Sequence, residues 1–183
     1  MKKTLLFVLA ILMLTFVSVS AQETAVKDTA LNFKTVGTLF DWGDKSEDVY
    51  NFLSQYEGVK IEVDADNYII FASGESEEET FLYSFLFTPD ENEGLYSIFC
   101  DSFLSDEIDP AEIIEVLIDE YGLKDAEPYE DAEIDELFTE YDAYAVVAGP
   151  GTIAGIGGSE ATEEEPGAIA LYFFDRAYHE ANK

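Results

Sequence analysis

Four apolar segments joined by short polar connections, between residues 59 and 103, constrain the fold most strongly. VKIEV and NYIIFA flank DADN, and TFLYSFLF and LYSIFCDSF flank the polar loop TPDENEG. Short segments rich in Val, Ile, Phe and Tyr are typical of β-strands. Because such short connections join only neighbouring antiparallel strands, the middle of the chain predicts an antiparallel meander.

Alternation along these strands predicts which side chains share a face. In the third strand both sets of alternate residues are apolar, which indicates a central strand. In the fourth strand Leu95, Phe99 and Phe103 share a face, and Asp101 lies on the same side. We interpret Asp101, and later Asp175, as outward residues of half-exposed strands.

Three further segments have helical periodicity, and each closes its apolar face with Tyr: EDVYNFLSQY, PAEIIEVLIDEY and AEIDELFTEY. Asp44 or Ser46 is suited to cap the first, and Asp109 the second. AYAVVAG, TIAGIGG and AIALYFFDRAY are additional strand candidates. The fold class predicted is α+β, with a single antiparallel sheet of about six or seven strands and two or three helices packed on one face.

The N-terminus predicts export. MKK precedes the apolar stretch TLLFVLAILMLTFVSV, and small residues end at Ala21, a pattern typical of a secretory signal peptide cleaved there. Residues 1–21 are therefore interpreted as the signal, and the protein is expected in the periplasm or outside the cell. We expect residues 22–36 to form a tether or an edge strand, 37–178 to form one α+β domain, and 179–183 to form a loose end.

Charge restricts the partners of this chain. It has 40 acidic and 9 basic residues and a formal net charge of −31. Such a charge repels nucleic acid and anionic lipid, and it attracts basic proteins or divalent cations. The alternative is that the acids only keep an exported protein soluble. No second long apolar segment follows the signal, so we expect no membrane association after its removal.

The segment VVAGPGTIAGIGGSE resembles a nucleotide-binding loop, because Gly149–Ala154 fits G-x-G-x-x-A and Asp175 follows at the distance of a ribose-binding acid. That use requires a helix directly after the glycines. Further glycines follow instead, and they are poor helix formers. We predict a turn at Gly149–Gly151, then a glycine-containing strand and an acidic hairpin loop, and we expect no cofactor.

No catalytic constellation stands out among the remaining residues. Cys100 lies among apolar residues, which predicts a buried thiol, and the single His179 lies near the C-terminus. The many acids leave open a hydrolase that uses a carboxylate pair, but no particular pair is indicated. Asp106 and Glu107, in SDEIDP, are the candidate ligands for a weakly held divalent cation.

Trp42 is the only tryptophan and directly precedes the first predicted helix. We expect its ring to pack the entering chain against the core. The alternative is that it anchors a partner, since Trp is enriched at binding hot spots. On that hypothesis Trp42 and the neighbouring Asp41 and Asp44 form the candidate binding site.

The stretch WGDKSEDVYNFL, the strands after it, and IIEVLIDEYG together resemble a loose group of small exported bacterial proteins. Their organisation is similar to that of β-lactamase-inhibitor-type and outer-membrane-assembly lipoprotein-type domains, in which helices cover one face of an antiparallel sheet. The resemblance spans roughly residues 37 to 175. It implies a binding module and assigns no catalytic residue. The chain differs from the lipoproteins because no Cys follows the cleavage site.

The sequence therefore predicts an exported, non-catalytic module that binds a protein partner, with a basic surface as the expected complement. Two alternatives stay open. One is a secreted hydrolase whose carboxylates are not identified, and the other is a surface protein that binds divalent cations weakly.

Overall fold

Every strand pairing in the fold is antiparallel, as the short connections predict. The structure is a computed structural model that describes residues 31–75, 79–89, 94–104, 109–162 and 166–183. The predicted signal peptide and residues 22–30 lie outside the described residues. Leu31–Lys183 form one compact unit.

One open sheet has the strand order β1-β2-β3-β4-β8-β7-β6-β5. The strands are β1 (Lys60–Asp64), β2 (Ile69–Glu75), β3 (Glu79–Phe87), β4 (Leu95–Leu104), β5 (Glu127–Pro128), β6 (Ala143–Ala148), β7 (Thr152–Ser159) and β8 (Gly167–Asp175). An α+β fold with one antiparallel sheet is confirmed, but the expected strand count of six or seven is wrong, because the sheet has eight strands. The two-residue β5 is too short to leave a periodic signal in the sequence.

Four α-helices accompany the sheet in the described part of the chain: α1 (Ser46–Leu53), α2 (Pro110–Glu120), α3 (Ala132–Leu137) and α4 (Arg176–Ala181). The predicted cap of α2 is confirmed, since the Asp109 carboxylate accepts hydrogen bonds from the backbone N–H groups of Ala111 and Glu112. Lys45, rather than Asp44 or Ser46, occupies the N-cap position of α1. None of the described helices has the length and apolar composition needed to span a bilayer.

The front face of the sheet carries the main core. Strand register places Tyr83, Cys100 and Leu171 side by side on this face. All three are fully buried, and they belong to one cluster with Val49 and Leu53 of α1. Further members of the cluster come from α2 and from the segment before α1: Leu31, Phe33, Val36, Ile114 and Leu117. The predicted buried thiol of Cys100 is confirmed, and residues 31–36 pack in the core instead of forming a free tether or a strand.

The back face carries Leu82, Asp101 and Ala170, and α3 and α4 pack against part of it. The expectation that all helices cover one face is therefore wrong. Adjacent residues of β7 show this directly. A Cβ at Gly158 would meet Pro110 of α2, whereas a Cβ at Gly157 would meet Phe138 beyond α3. Consecutive residues of a strand point to opposite faces, so the two helices lie on opposite sides.

Glycines in β7 allow this second layer to approach closely. The turn at Gly149 and the strand that follows are confirmed, and Gly155 lies inside that strand. A Cβ at Gly155 would lie 2.3 Å from the Phe138 ring. The glycine pattern that resembles a nucleotide-binding loop thus provides a flat strand surface for an aromatic ring.

Candidate functional site

The predicted binding residues around Trp42 form a turn that is docked on the sheet. Trp42 is half-buried, and its Nε1 donates a hydrogen bond to Thr152 Oγ1 at 3.0 Å. Asp44 accepts a hydrogen bond from the backbone N–H of Asp41 at 2.9 Å, and its own carbonyl accepts one from Leu95. Trp42 therefore packs the chain against the core, as expected. Binding of a partner by these three residues stays a prediction.

The metal candidates Asp106 and Glu107 lie outside the described residues. Among the residues that are described, no three His, Cys, Asp or Glu side chains come together in a way that suits a metal ion. The cation hypothesis therefore stays a prediction on two residues whose surroundings are not defined.

One part of the back face, on β2, β3 and β4, contains exposed and half-buried side chains, and we call it the open half-face. Its apolar members are Ile69, Phe71, Leu82, Leu86, Phe99 and Phe103, and the polar residues Ser73, Thr80, Ser84 and Asp101 lie between them. Leu82 is 44% exposed and Phe103 is 49% exposed. The other half, on β6, β7 and β8, is buried beneath Ile134 and Phe138.

A cleft of about 340 Å³ lies where the open half-face meets α3 and α4. Its apolar lining consists of Leu86, Tyr96, Phe99, Ile134, Leu137 and Phe174. Leu86 and Phe99 belong to both the cleft and the open half-face, so the two form one continuous surface. The volume is at the lower end of the range for sites that hold small molecules or single side chains.

The C-terminal residues hold the wall of this cleft in place. His179 Nε2 lies 2.9 Å from Asp131 Oδ2, and Lys183 Nζ lies 2.5 Å from the same oxygen. We call these three residues the C-terminal latch. Residues 179–183 thus differ from the loose end expected from the sequence. The strand-like segment AIALYFFDRAY ends at Asp175, whose carboxylate caps α4 instead.

Asp131 is the centre of the latch, and its side chain is only 5% exposed. Burial alone would raise the pKa of this carboxyl, but several donors outweigh it and hold the pKa well below its ordinary value. The donors are His179, Lys183 and the backbone N–H groups of Glu133 and Ile134, which Asp131 caps at the start of α3. The latch therefore joins the first turn of α3 to the end of α4.

Asp101 is the acidic residue within the open half-face. It pairs across the sheet with Leu82 on one side and Ala170 on the other, and Phe99 and Phe103 flank it along β4. Its Oδ1 accepts a hydrogen bond from the Tyr172 hydroxyl at 3.0 Å. Burial raises the pKa of Asp101, and this hydrogen bond opposes the shift only in part.

The sequence pattern indicates some residues of this surface and gives no signal for others. The period-two alternation correctly placed Asp101 and Phe103 on an outward face. Leu95, which was expected on the same face, is buried in the front core because a β-bulge near Tyr96 reverses the alternation at the start of β4. The exposure of Leu82 had no sequence signal, since a strand with two apolar faces is typical of a covered central position.

Comparison with known proteins adds no relative: no family model, no curated protein and no solved structure matches this chain. The resemblance to small exported lipoprotein-type domains accordingly stays a prediction.

Proposed function

We propose that this chain is an exported, non-catalytic module that binds a basic protein partner through the open half-face. The observation that carries the proposal is the exposure of two large apolar side chains, Leu82 and Phe103, which lie diagonally across adjacent strands on the same face of the sheet. Contiguous apolar patches on soluble proteins mark interaction sites more often than isolated exposed residues do.

The position of the surface on a rigid sheet supports binding. Leu82 and Phe103 lie on β3 and β4, which are both paired on each side within the sheet. Their backbones are therefore fixed before a partner arrives, and little ordering entropy opposes association. The adjoining cleft offers a place where one apolar side chain of the partner can pack against Leu86 and Phe99, as binding hot spots do in pockets.

The charge of the chain supports a basic partner. The formal net charge of the chain is −31. A field of this sign accelerates encounter with cationic surfaces and opposes encounter with nucleic acid and anionic membranes. Export remains part of the proposal, supported by the signal-like residues 1–21.

The test is a capture experiment on the envelope fraction of cells that produce the protein with its own N-terminus. The native chain is compared with Leu82→Ser/Phe103→Ser and with the control Val116→Ser, since Val116 on α2 is similarly exposed, at 44%. We expect one stoichiometric partner to be retained by the native chain and the control, and lost from the double variant. Retention should weaken as salt is added, because opposite charges attract the two proteins.

Two results would contradict the proposal. One is equal capture by all three chains, which would place binding elsewhere on the surface. The other is a captured partner that is acidic, which would remove the role assigned to charge. Mass analysis of the protein in the envelope fraction tests export in the same experiment, since cleavage after Ala21 predicts a chain that begins at Gln22.

A further inference from the structure

The four nearest neighbours of Asp101 on the back face of the sheet are apolar. The neighbours directly across the strands are Leu82 and Ala170, and those along β4 are Phe99 and Phe103. The residue is half-buried, so apolar side chains replace part of the water that would solvate a free carboxylate. Removing a charge from water without an opposite charge is unfavourable.

The hydrogen bond from Tyr172 offsets only part of the cost of desolvating the Asp101 carboxylate. It occupies one of the two carboxylate oxygens, and Tyr172 is itself packed with Tyr141, which follows α3. Among the described residues, no Lys, Arg or His forms an ion pair with Asp101. β3 presents Leu82 and Ser84 toward this site, and β8 presents Tyr172 and Ala170, so no cation faces it from the neighbouring strands.

We propose that Asp101 selects the partner of the open half-face by pairing with a Lys or Arg side chain that the partner presents among apolar residues. This inference rests on the proposed function and deepens it. It assigns the partner a specific chemistry: one cation surrounded by apolar side chains, placed opposite the centre of β4.

Desolvation explains why such a pair would favour partners with a cation at this position over partners with an apolar residue there. A partner with a cation at this position neutralises a carboxylate that is already partly desolvated, whereas a partner with an apolar residue there buries the carboxylate completely and leaves it unpaired. The second arrangement is a penalty against wrong partners, which is how interfaces obtain specificity. Burial raises the pKa of Asp101, which agrees with a carboxylate that lacks a cation.

A second copy of this chain is a poor occupant. Each copy would bring another formal charge of −31, and a symmetric contact centred on the open half-face would place one Asp101 near the other. A cationic partner removes both repulsions. Self-association is nevertheless a distinct outcome of the experiment below.

The probe is a random peptide library, selected on the full chain produced with its own N-terminus. Selected peptides are then titrated, with a fluorescent label, against the native chain and three variants. Asp101→Asn removes the charge and keeps an oxygen that accepts from Tyr172. Glu62→Gln removes an exposed charge on the same face, and Leu82→Ser/Phe103→Ser removes the apolar surface.

We expect the selected peptides to carry Lys or Arg between apolar residues. Their dissociation constants should rise at least about tenfold on Asp101→Asn and stay unchanged on Glu62→Gln, because only the first removes a desolvated partner charge. The Leu82→Ser/Phe103→Ser chain should not bind them measurably.

The possible failures are distinguishable. Equal affinity for the native chain and Asp101→Asn, together with loss of binding to Leu82→Ser/Phe103→Ser, overturns the role of Asp101 and leaves the binding surface standing. Full affinity for the double variant, or a library from which no peptide is retained, overturns both. A dimer in sedimentation experiments that dissociates in the double variant overturns the cationic partner, since the open half-face would then be a self-contact.

Discussion

The two halves of the back face differ in how far their apolar side chains are covered. On β7 the strand is flattened by Gly155 and Gly157, and the ring of Phe138 is buried directly on them. On β3 and β4 the strands carry large apolar side chains, and Leu82 and Phe103 remain exposed. Under Phe138, β7 carries glycines and the covering segment supplies the aromatic ring, whereas on the open half-face the exposed large side chains belong to the sheet itself.

The exposure of large apolar side chains on the open half-face does not extend to β7 and β8 of the back face. The same sheet, in the same chain, buries apolar residues completely where a helix is supplied, and Ile153 on the covered half is fully buried. Large aromatic side chains such as that of Phe103 are of the kind enriched at protein interfaces.

The largest loss of stability is expected when a side chain is added at Gly155 of β7. Gly155→Ala places a methyl group where Phe138 now lies, so we expect the free energy of unfolding to fall by about 2–3 kcal/mol, measured by urea denaturation. The matched control is Gly151→Ala in the preceding turn, where an added Cβ meets nothing within 4 Å. Adding Phe138→Leu to Gly155→Ala should recover part of the loss. Equal stability of the Gly155→Ala and Gly151→Ala chains would show that the ring is not held by the glycines.

The next largest effect concerns the latch that holds the covering helices. Asp131→Ala removes the cap of α3 and the contacts with His179 and Lys183, and we expect a loss of about 2 kcal/mol at neutral pH. Asp131→Asn keeps a capping oxygen and should lose less. Because folding lowers the pKa of Asp131, its contribution is fully present above the ordinary value of 3.8 and disappears as the pH falls through the folded-state pKa.

The direction of this pKa shift is tested by comparing the urea midpoints of the native and Asp131→Asn chains at neutral and at acidic pH. The difference between the two chains should shrink in acid. A difference that grows in acid would mean that folding raises the pKa of this carboxyl, and the latch would then lack its assigned role. Asp109→Ala provides a control, since Asp109 caps α2 without a cationic contact among the described side chains.

Local signals made much of the fold predictable. The strands from β1 to β4, the cap at Asp109 and the turn at Gly149 all depend on residues that are close in sequence, and all are confirmed. The strand order depends on the pairing of β4 with β8, between residues about seventy positions apart, and no periodic pattern records that pairing. The same holds for the side of the sheet on which each helix packs, because amphipathic helices on either face have the same spacing.

The candidate site shows the same limit. Alternation indicates that Asp101 points outward. Whether the strands around it are covered depends on where α3 ends, and the alternation does not record that. The apolar spacing predicted that Leu137 joins Ile134 in the core, yet α3 ends at Leu137 and leaves that residue 45% exposed. The sequence predicts a loose end at His179, because its partner Asp131 lies 48 residues earlier in the chain and leaves no local signal.

A smaller effect is expected from polar substitution of the open half-face. Leu82→Ser/Phe103→Ser changes side chains that are already about half exposed, so the free energy of unfolding should change by no more than about 1 kcal/mol. Binding of a fluorescent apolar dye should fall at the same time, because its surface is removed. A large loss of stability would instead mean that these residues belong to the core, and the contrast between the two halves would fail.

The smallest change in stability is expected from Asp101→Asn. The melting temperature should fall if the carboxylate stabilises the fold, and it should rise if the carboxylate serves binding instead. Folding raises the pKa of Asp101 through burial, so ionisation costs stability at pH values above the folded-state pKa, and this cost is absent below the ordinary pKa. We expect Asp101→Asn to raise the melting temperature at neutral pH by about 1–2 °C and to lose that advantage in acid, where both residues are neutral. Glu62→Gln, at an exposed position, should change the melting temperature in neither condition.

A lower melting temperature of Asp101→Asn at neutral pH would show that the charged hydrogen bond to Tyr172 stabilises the sheet, and the carboxylate would then need no cation from a partner. A higher one means that the chain retains, between apolar neighbours on the open half-face, a charge that folding alone does not favour.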